Sequence, residues 1–175
     1  AESRYYINIG NFNKSEELSK KCLAKTNDSS LENACSSLLS NIYINNKNYD
    51  KAKKFIKFRT YEGQSSLAYI AFMEKKLQKA ERILKRLYKK QFKIEGFEYP
   101  NPYLSSMVGS SLWFQGKNKE AKVFHKESLE TYKSVFGEKN PILIQPYINL
   151  AMVYFNENDF ENTEFYLRKS LNLQF

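Results

Sequence analysis

Apolar side chains along this chain recur at steps of three and four residues, interrupted at intervals by short runs of asparagine, lysine and glycine. That period belongs to helices with one buried face. In one stretch Leu31, Cys35, Leu38, Leu39, Ile42 and Tyr43 share a face of a helix predicted over 31–44. Asn45 to Asn48 are poor helix formers and read as a turn, and Tyr49 to Phe58 reads as a second amphipathic helix. The same order returns elsewhere. A small residue is followed by a large one three positions on, another six later, and a small one three further, as in Ser40, Tyr43, Tyr49, Ala52 and in Ala151, Tyr154, Phe160, Thr163. Looser copies are Ala68, Ala71, Leu77, Ala80 and Gly109, Leu112, Asn118, Ala121, and a partial one opens the chain at Ser3, Tyr6, Phe12, Ser15. The leading small residues are 37, 28, 41 and 42 positions apart, so five helix pairs cover nearly the whole chain.

Boundary residues agree with this spacing. Gly96 and Gly137 lie 41 residues apart and are each expected to close a lengthened second helix in the left-handed conformation. Asn101 with Pro102, and Asn140 with Pro141, then read as an N-cap followed by proline in the first helical turn.

The small and aromatic positions, clearest from Asn149 to Leu171, resemble the tetratricopeptide repeat. The 41- and 42-residue steps and the segment Phe136 to Pro141 are similar to the kinesin light chain type. The resemblance implies an all-α, right-handed solenoid of about five helix pairs: a single superhelical domain over 1–175, with repeats near 1–27 (partial), 30–60, 62–93, 102–136 and 141–175. Small residues let the paired helices approach, and large ones fill the space toward the next pair. About two turns of the first helix would precede Ala1, and Leu171, Leu173 and Phe175 remain apolar at the other end. The chain therefore reads as part of a longer protein, or as one whose uncapped ends associate with another copy. A mature secreted protein beginning at Ala1 is the competing reading.

Composition narrows the class. With 6 Gly and 4 Pro in 175 residues and 15% aromatics, neither a turn-rich sandwich nor a disordered chain is expected. No apolar run approaches the ~20 residues of a membrane span. The net charge is +9, and nine basic residues against the single acid Glu81 fall between Lys75 and Lys93. Leu77, Ala80, Ile83, Leu84, Leu87, Tyr88 and Phe92 form the apolar stripe of this helix, opposite a basic face carrying Lys75, Lys79, Arg82, Arg86, Lys89, Lys90 and Lys93. As a second helix it would lie on the convex side. That face reads as solvated surface or as a site for an acidic protein partner. Nucleic acid is the minor reading, because no aromatic is interleaved to stack bases.

Catalytic and metal chemistry find no constellation. His125 is the single histidine and falls at a helix-packing position, no glycine-rich phosphate loop or HExxH motif occurs, and Glu157, Asp159, Glu161 and Glu164 lack the spacing and glycine of a calcium loop. No enzyme activity, cofactor or metal is expected. Cys22 and Cys35 have no neighbouring histidine to complete a zinc site. The repeat resemblance brings them near each other, and they read first as two small buried residues, with a disulfide as the alternative. Cytoplasm is the expected compartment for free thiols; a bond would point to a secreted or periplasmic protein.

The resemblance also implies that first helices line a concave groove. Its residues here are Asn41, Asn45, Tyr69, Met73, Ser110, Trp113, Phe114, Asn149, Met152 and Asn156, with Ile44 and Ile7 read equally as core. Aromatic and methionine anchors among amides suit an extended peptide or an amphipathic helix. Ser37, Ser65, Ser106 and Ile148 replace the lysines of the carboxylate-clamp subfamily, so that clamp is not expected. A protein- or peptide-binding scaffold is the leading function. The alternatives are a sensor or substrate-recruiting arm of a protease or kinase, and a bacterial peptide-signal receptor.

Overall fold

A computed structural model describes all residues except 1, 2, 4, 7, 8, 59, 92–99, 174 and 175, and the described residues form helices and turns without strands. They divide into two compact units, Ala1–Ile70 and Ala71–Phe175.

In the first unit Ser3, Tyr5 and Tyr6 have helical backbone and are followed by α1 (Phe12–Lys25), α2 (Ser29–Asn45), α3 (Tyr49–Phe55) and the start of α4 (Tyr61–Met73). Leu39, Tyr43, Ala52, Ile56 and Ile70 form its core, with Leu23, Ile44, Tyr49, Phe55 and Leu67 packed against them. Ile44 therefore takes the core role rather than the groove role. Leu31, in the first turn of α2, is half exposed instead of sharing the buried face. The ring of Tyr43 stacks on Phe55 with centroids 5.7 Å apart, and its hydroxyl donates to Glu16 Oε1 at 2.7 Å.

Helix α3 stops at Phe55 rather than at the expected Phe58. Ile56 takes extended backbone (ψ 123°), which directs its side chain into the core and ends the helix. The chain then crosses close to α4. A Cβ on Gly63 would stand 1.9 Å from the Lys57 carbonyl oxygen, so only glycine admits this crossing. Thr60 holds the turn: its hydroxyl donates to Lys57 O and accepts from Gly63 N, both at 3.0 Å.

The second unit contains α5 (Leu77–Gln91), α6 (Pro102–Trp113), α7 (Asn118–Phe136), a 3-10 turn (Pro141–Leu143), α8 (Ile144–Asn156) and α9 (Phe160–Leu171). Consecutive helices pack against each other from α5 through α9, and the 3-10 turn packs on both α7 and α8. Leu129, Leu143, Tyr147, Leu150 and Tyr154 form the core cluster, and Tyr166 stacks on Tyr154 with centroids 5.5 Å apart. At the crossing of α6 and α7 the small residue has a direct cause, because a Cβ on Gly109 would meet the His125 ring at 2.8 Å.

Asn101 caps α6 as expected, its side chain accepting from Leu104 N at 3.1 Å with Pro102 at the first position. Asn140 caps the 3-10 turn, accepting from Ile142 N at 3.0 Å, and the α-helix proper begins only at Ile144. Gly137 has φ 80° but ψ 163°, so it closes α7 in extended mirror-image backbone rather than in the left-handed helical region. Gly96 lies outside the described residues.

The repeat register is written most directly in the turns. Gly10, Lys47, Lys75, Gly116 and Asn158 all have positive φ, between 56° and 76°, each seven residues after the leading small residue of its copy. In the four later turns this residue donates its N–H to a carbonyl three back, and the next N–H reaches one five back, as Lys47 N to Ile44 O and Asn48 N to Tyr43 O. These bonds satisfy the last carbonyls of each first helix.

Candidate interaction surfaces

Three surfaces combine exposure with unusual chemistry. In the first unit, Asn33, Ser37, Ser40 and Asn41 of α2 face Thr60, Glu62 and Ser66 across a hollow of about 370 Å³ floored by Phe55, Ile56 and Lys57. Helix α2 supplies this wall because its apolar residues are turned toward α1 and α3, leaving serines and amides on the other side. Ser40 is buried and its hydroxyl has no partner. Asn41 is exposed here, as is Asn45 at the end of α2; Tyr69 is exposed on α4. Sequence reasoning identified Asn41 but not Thr60, Glu62 or Ser66, whose position depends on the Gly63 crossing.

In the second unit the ends of the first helices carry exposed rings. Phe114 is 57% exposed and packs edge-on against Phe72 and Trp113, with centroids 5.0 and 4.7 Å away. Phe155 is 58% exposed and meets Phe160 edge-on at 6.0 Å. Met73 and Met152 are also exposed, Asn156 is exposed, and Ser110 is half-buried. Trp113 is half-buried, and its indole N–H is buried without an acceptor. Asn149 is bonded within the second unit: its side-chain N–H donates to Ser106 Oγ at 3.0 Å and its oxygen accepts from Gln145 at 2.8 Å, tying α8 to α6. Phe160 was not singled out from sequence, since its position in the repeat reads as packing.

The third surface is α5. Ala80, Leu84, Leu87 and Gln91 are buried, with Leu77, Ile83 and Tyr88 half-buried beside them. Opposite them Lys79, Arg82, Arg86, Lys89 and Lys90 are exposed, whereas Lys75, expected on the same face, is exposed in the turn before the helix because its positive φ ends α4 there. Phe92 and Lys93 lie outside the described residues. Glu81 accepts from Lys85 at 2.8 Å and from Lys117 and Gln115 at 2.9 Å. Its burial raises the carboxyl pKa, but the bonds from Lys117, Lys85 and Gln115 outweigh that and hold it at about 2. The Tyr88 hydroxyl donates to Glu127 Oε2 at 2.6 Å, which fixes α5 to α7; burial first, and this bond second, push its pKa up.

Three of the acids considered for chemistry have structural partners. Asp159 caps α9, accepting from Asn162 N at 3.1 Å; Glu157 pairs with Lys122, and Glu164 with Arg168 at 2.6 Å. His125 is 2% exposed, and burial lowers its pKa to about 4. Among the described residues no group of three or more His, Cys, Asp or Glu is placed to hold a metal, and no helix is long and apolar enough to cross a membrane. The expectation of two separate thiols is overturned: Cys22 and Cys35 form a disulfide with Cα atoms 6.3 Å apart, and only Cys35 is fully buried. Antiparallel packing of α1 and α2 around a three-residue turn brings them together.

Known proteins bear on these surfaces through the fold. Tetratricopeptide-repeat family models match residues 103–174 and 37–57, together more than half of the chain. Among solved structures, BtubC (BKLC) from P. vanneervenii superposes with a TM-score of 0.80 at 21% identity, covering 98% of this chain and 76% of that one. The nearly identical TPR-like repeats of a kinesin light chain-like protein of Podosopora anserina give 0.75 at 18% identity, covering 98% and 91%. MamA gives 0.66 at 15% identity, covering 98% and 94%. Among curated protein sequences none is significantly similar.

Proposed function

From the premise that this chain belongs to the tetratricopeptide-repeat family and resembles its kinesin light chain type, we propose that it is a peptide-binding scaffold without chemistry of its own. The observation that carries this reading is the exposure of large rings on the first helices of the second unit, where Phe114 and Phe155 stand more than half exposed beside Met73 and Met152. Leaving such side chains in water forgoes about 1.5 to 3 kcal/mol each, which a bound apolar side chain recovers. In the first unit, the hollow beside Asn41, with the unpartnered Ser40 hydroxyl in its wall, offers hydrogen bonds of the kind an extended backbone needs. The ligand is thus a protein segment with aromatic or aliphatic anchors.

Selection from a random peptide library on the wild-type protein tests this reading. Selected peptides should lose about tenfold or more in affinity to Phe114→Ala or Phe155→Ala, both in the second unit, while circular dichroism stays unchanged. Peptides that bind both variants as well as the wild type, or a library that yields none, would remove the first-helix face as the binding site. The Cys22–Cys35 bond supports an oxidising compartment. Trapping thiols by alkylation in intact cells, followed by mass spectrometry, checks this: unmodified cysteines are expected, and labelled ones would return the protein to the cytoplasm.

A further inference from the structure

The cations of α5 are unevenly satisfied. Lys85 bonds Glu81 and lies 3.2 Å from Glu120, while Lys76 pairs with Glu74 at 2.7 Å. Lys79, Arg82, Arg86, Lys89 and Lys90 are exposed and make no ion pair with any described residue. Glu81, the one acid in the helix, is already shared by two lysines and a glutamine and offers them no charge. Five positive charges therefore project from about 16 Å of one helix face, at 1.5 Å rise per residue. A solvent-open hollow of about 610 Å³ runs among them, between Gln78 and Lys90.

What this face lacks decides the partner. None of the exposed large apolar residues lies within α5, so nothing there can insert into a bilayer or stack on a base. Charge and guanidinium geometry remain, and planar guanidinium groups match carboxylates with two parallel hydrogen bonds. Spacing then separates two forms of acidic polypeptide. Arg82, Arg86 and Lys89 advance by about 5.4 Å per turn, as do acids at i, i+4 and i+7 of another helix. Alternate residues of an extended chain advance by about 6.7 Å and lose register by more than 2 Å within two steps.

We infer that the exposed face of α5 docks an acidic helical segment of a partner protein whose carboxylates repeat once per turn along one side. This site is separate from the first-helix surfaces, and it stands or falls independently of the peptide-binding reading.

Two fluorescein-labelled helical peptides of about 18 residues test it by anisotropy at about 150 mM salt, where non-specific attraction between exposed charges is largely screened. One carries glutamates at i, i+4, i+7 and i+11; the other has the same composition with glutamates spread around the helix. The one-faced peptide should bind at least about fivefold tighter, and Arg82→Glu with Arg86→Glu should weaken it at least about tenfold. Lys119→Glu with Lys139→Glu, the same change in net charge elsewhere on the second unit, should change it less than about twofold. Arg82→Gln with Arg86→Gln provides a milder variant, with circular dichroism confirming the fold, and Phe114→Ala should leave this binding intact. Equal affinity for both peptides, or equal loss in the control variant, overturns the inference. Tighter α5-dependent binding of phosphatidylserine vesicles or of a single-stranded oligonucleotide overturns it as well, by assigning the face to another polyanion.

Discussion

Lys47 and Lys75 hold left-handed backbone, φ 56° and 60°, at the position where two other turns use glycine and one uses asparagine. A residue with a Cβ loses about 1 kcal/mol or more there, so Lys47→Gly and Lys75→Gly should each raise stability by about 1 kcal/mol. Denaturant titration checks this, and Gly116→Ala should move the midpoint the other way. His125 carries a pH dependence. Burial lowers its folded pKa to about 4, below the ordinary 6.5, so above pH 6.5 it contributes nothing. As pH falls from 6.5 to 4 the unfolded chain binds a proton that the folded one excludes, and stability declines by up to about 3 kcal/mol. His125→Gln should flatten unfolding free energy across that window; an unchanged slope would mean that the ring is protonated in the folded protein. The sequence shows both features only in part. Its spacing places His125 at a packing position but puts Lys75 on a helix face rather than in the turn it occupies, and neither the positive φ nor the absence of a partner for Nδ1 can be read from residue types.

Helix ends are the elements most legible in the chain, because capping depends on residues within four positions of one another. Asn101–Pro102 and Asn140–Pro141 start helical turns where they are expected to. Removing the side-chain acceptor in Asn101→Ala should cost about 1 kcal/mol, more than an exposed mid-helix substitution such as Arg82→Ala, in paired thermal melts. Helix α3 departs from expectation for a non-local reason. Its pattern continues to Phe58, yet burial of Ile56 and the passage of Lys57 over Gly63 end it at Phe55. Helix α5 shows the division clearly: its amphipathic stripe is plain in the sequence, whereas the pairing of Glu81 with Lys117, 36 residues away, is not.

For the whole molecule, the disulfide is the one covalent tie between separate helices among the described residues, closing a short loop within the first unit. Reduction should lower unfolding stability by roughly 3 kcal/mol on the chain-entropy estimate. Hydrogen exchange with and without reductant should show protection lost in α1 and α2; unchanged protection would mean that packing alone holds them. The chain by itself determined the helical class, the count of helix pairs and their unequal lengths, because these follow from period, small residues and turn chemistry that act over a few neighbours. It also offered the basic face of α5 as a candidate surface, and through the repeat resemblance Asn41 and Phe114 as candidate groove residues. Only tertiary structure decided that Cys22 and Cys35 bond, that Asn149 is tied to Ser106, and which cations of α5 remain unpaired. The physical reason is distance along the chain: a helical period constrains where a side chain points, but its partner comes from another helix, and that choice depends on how the helices cross.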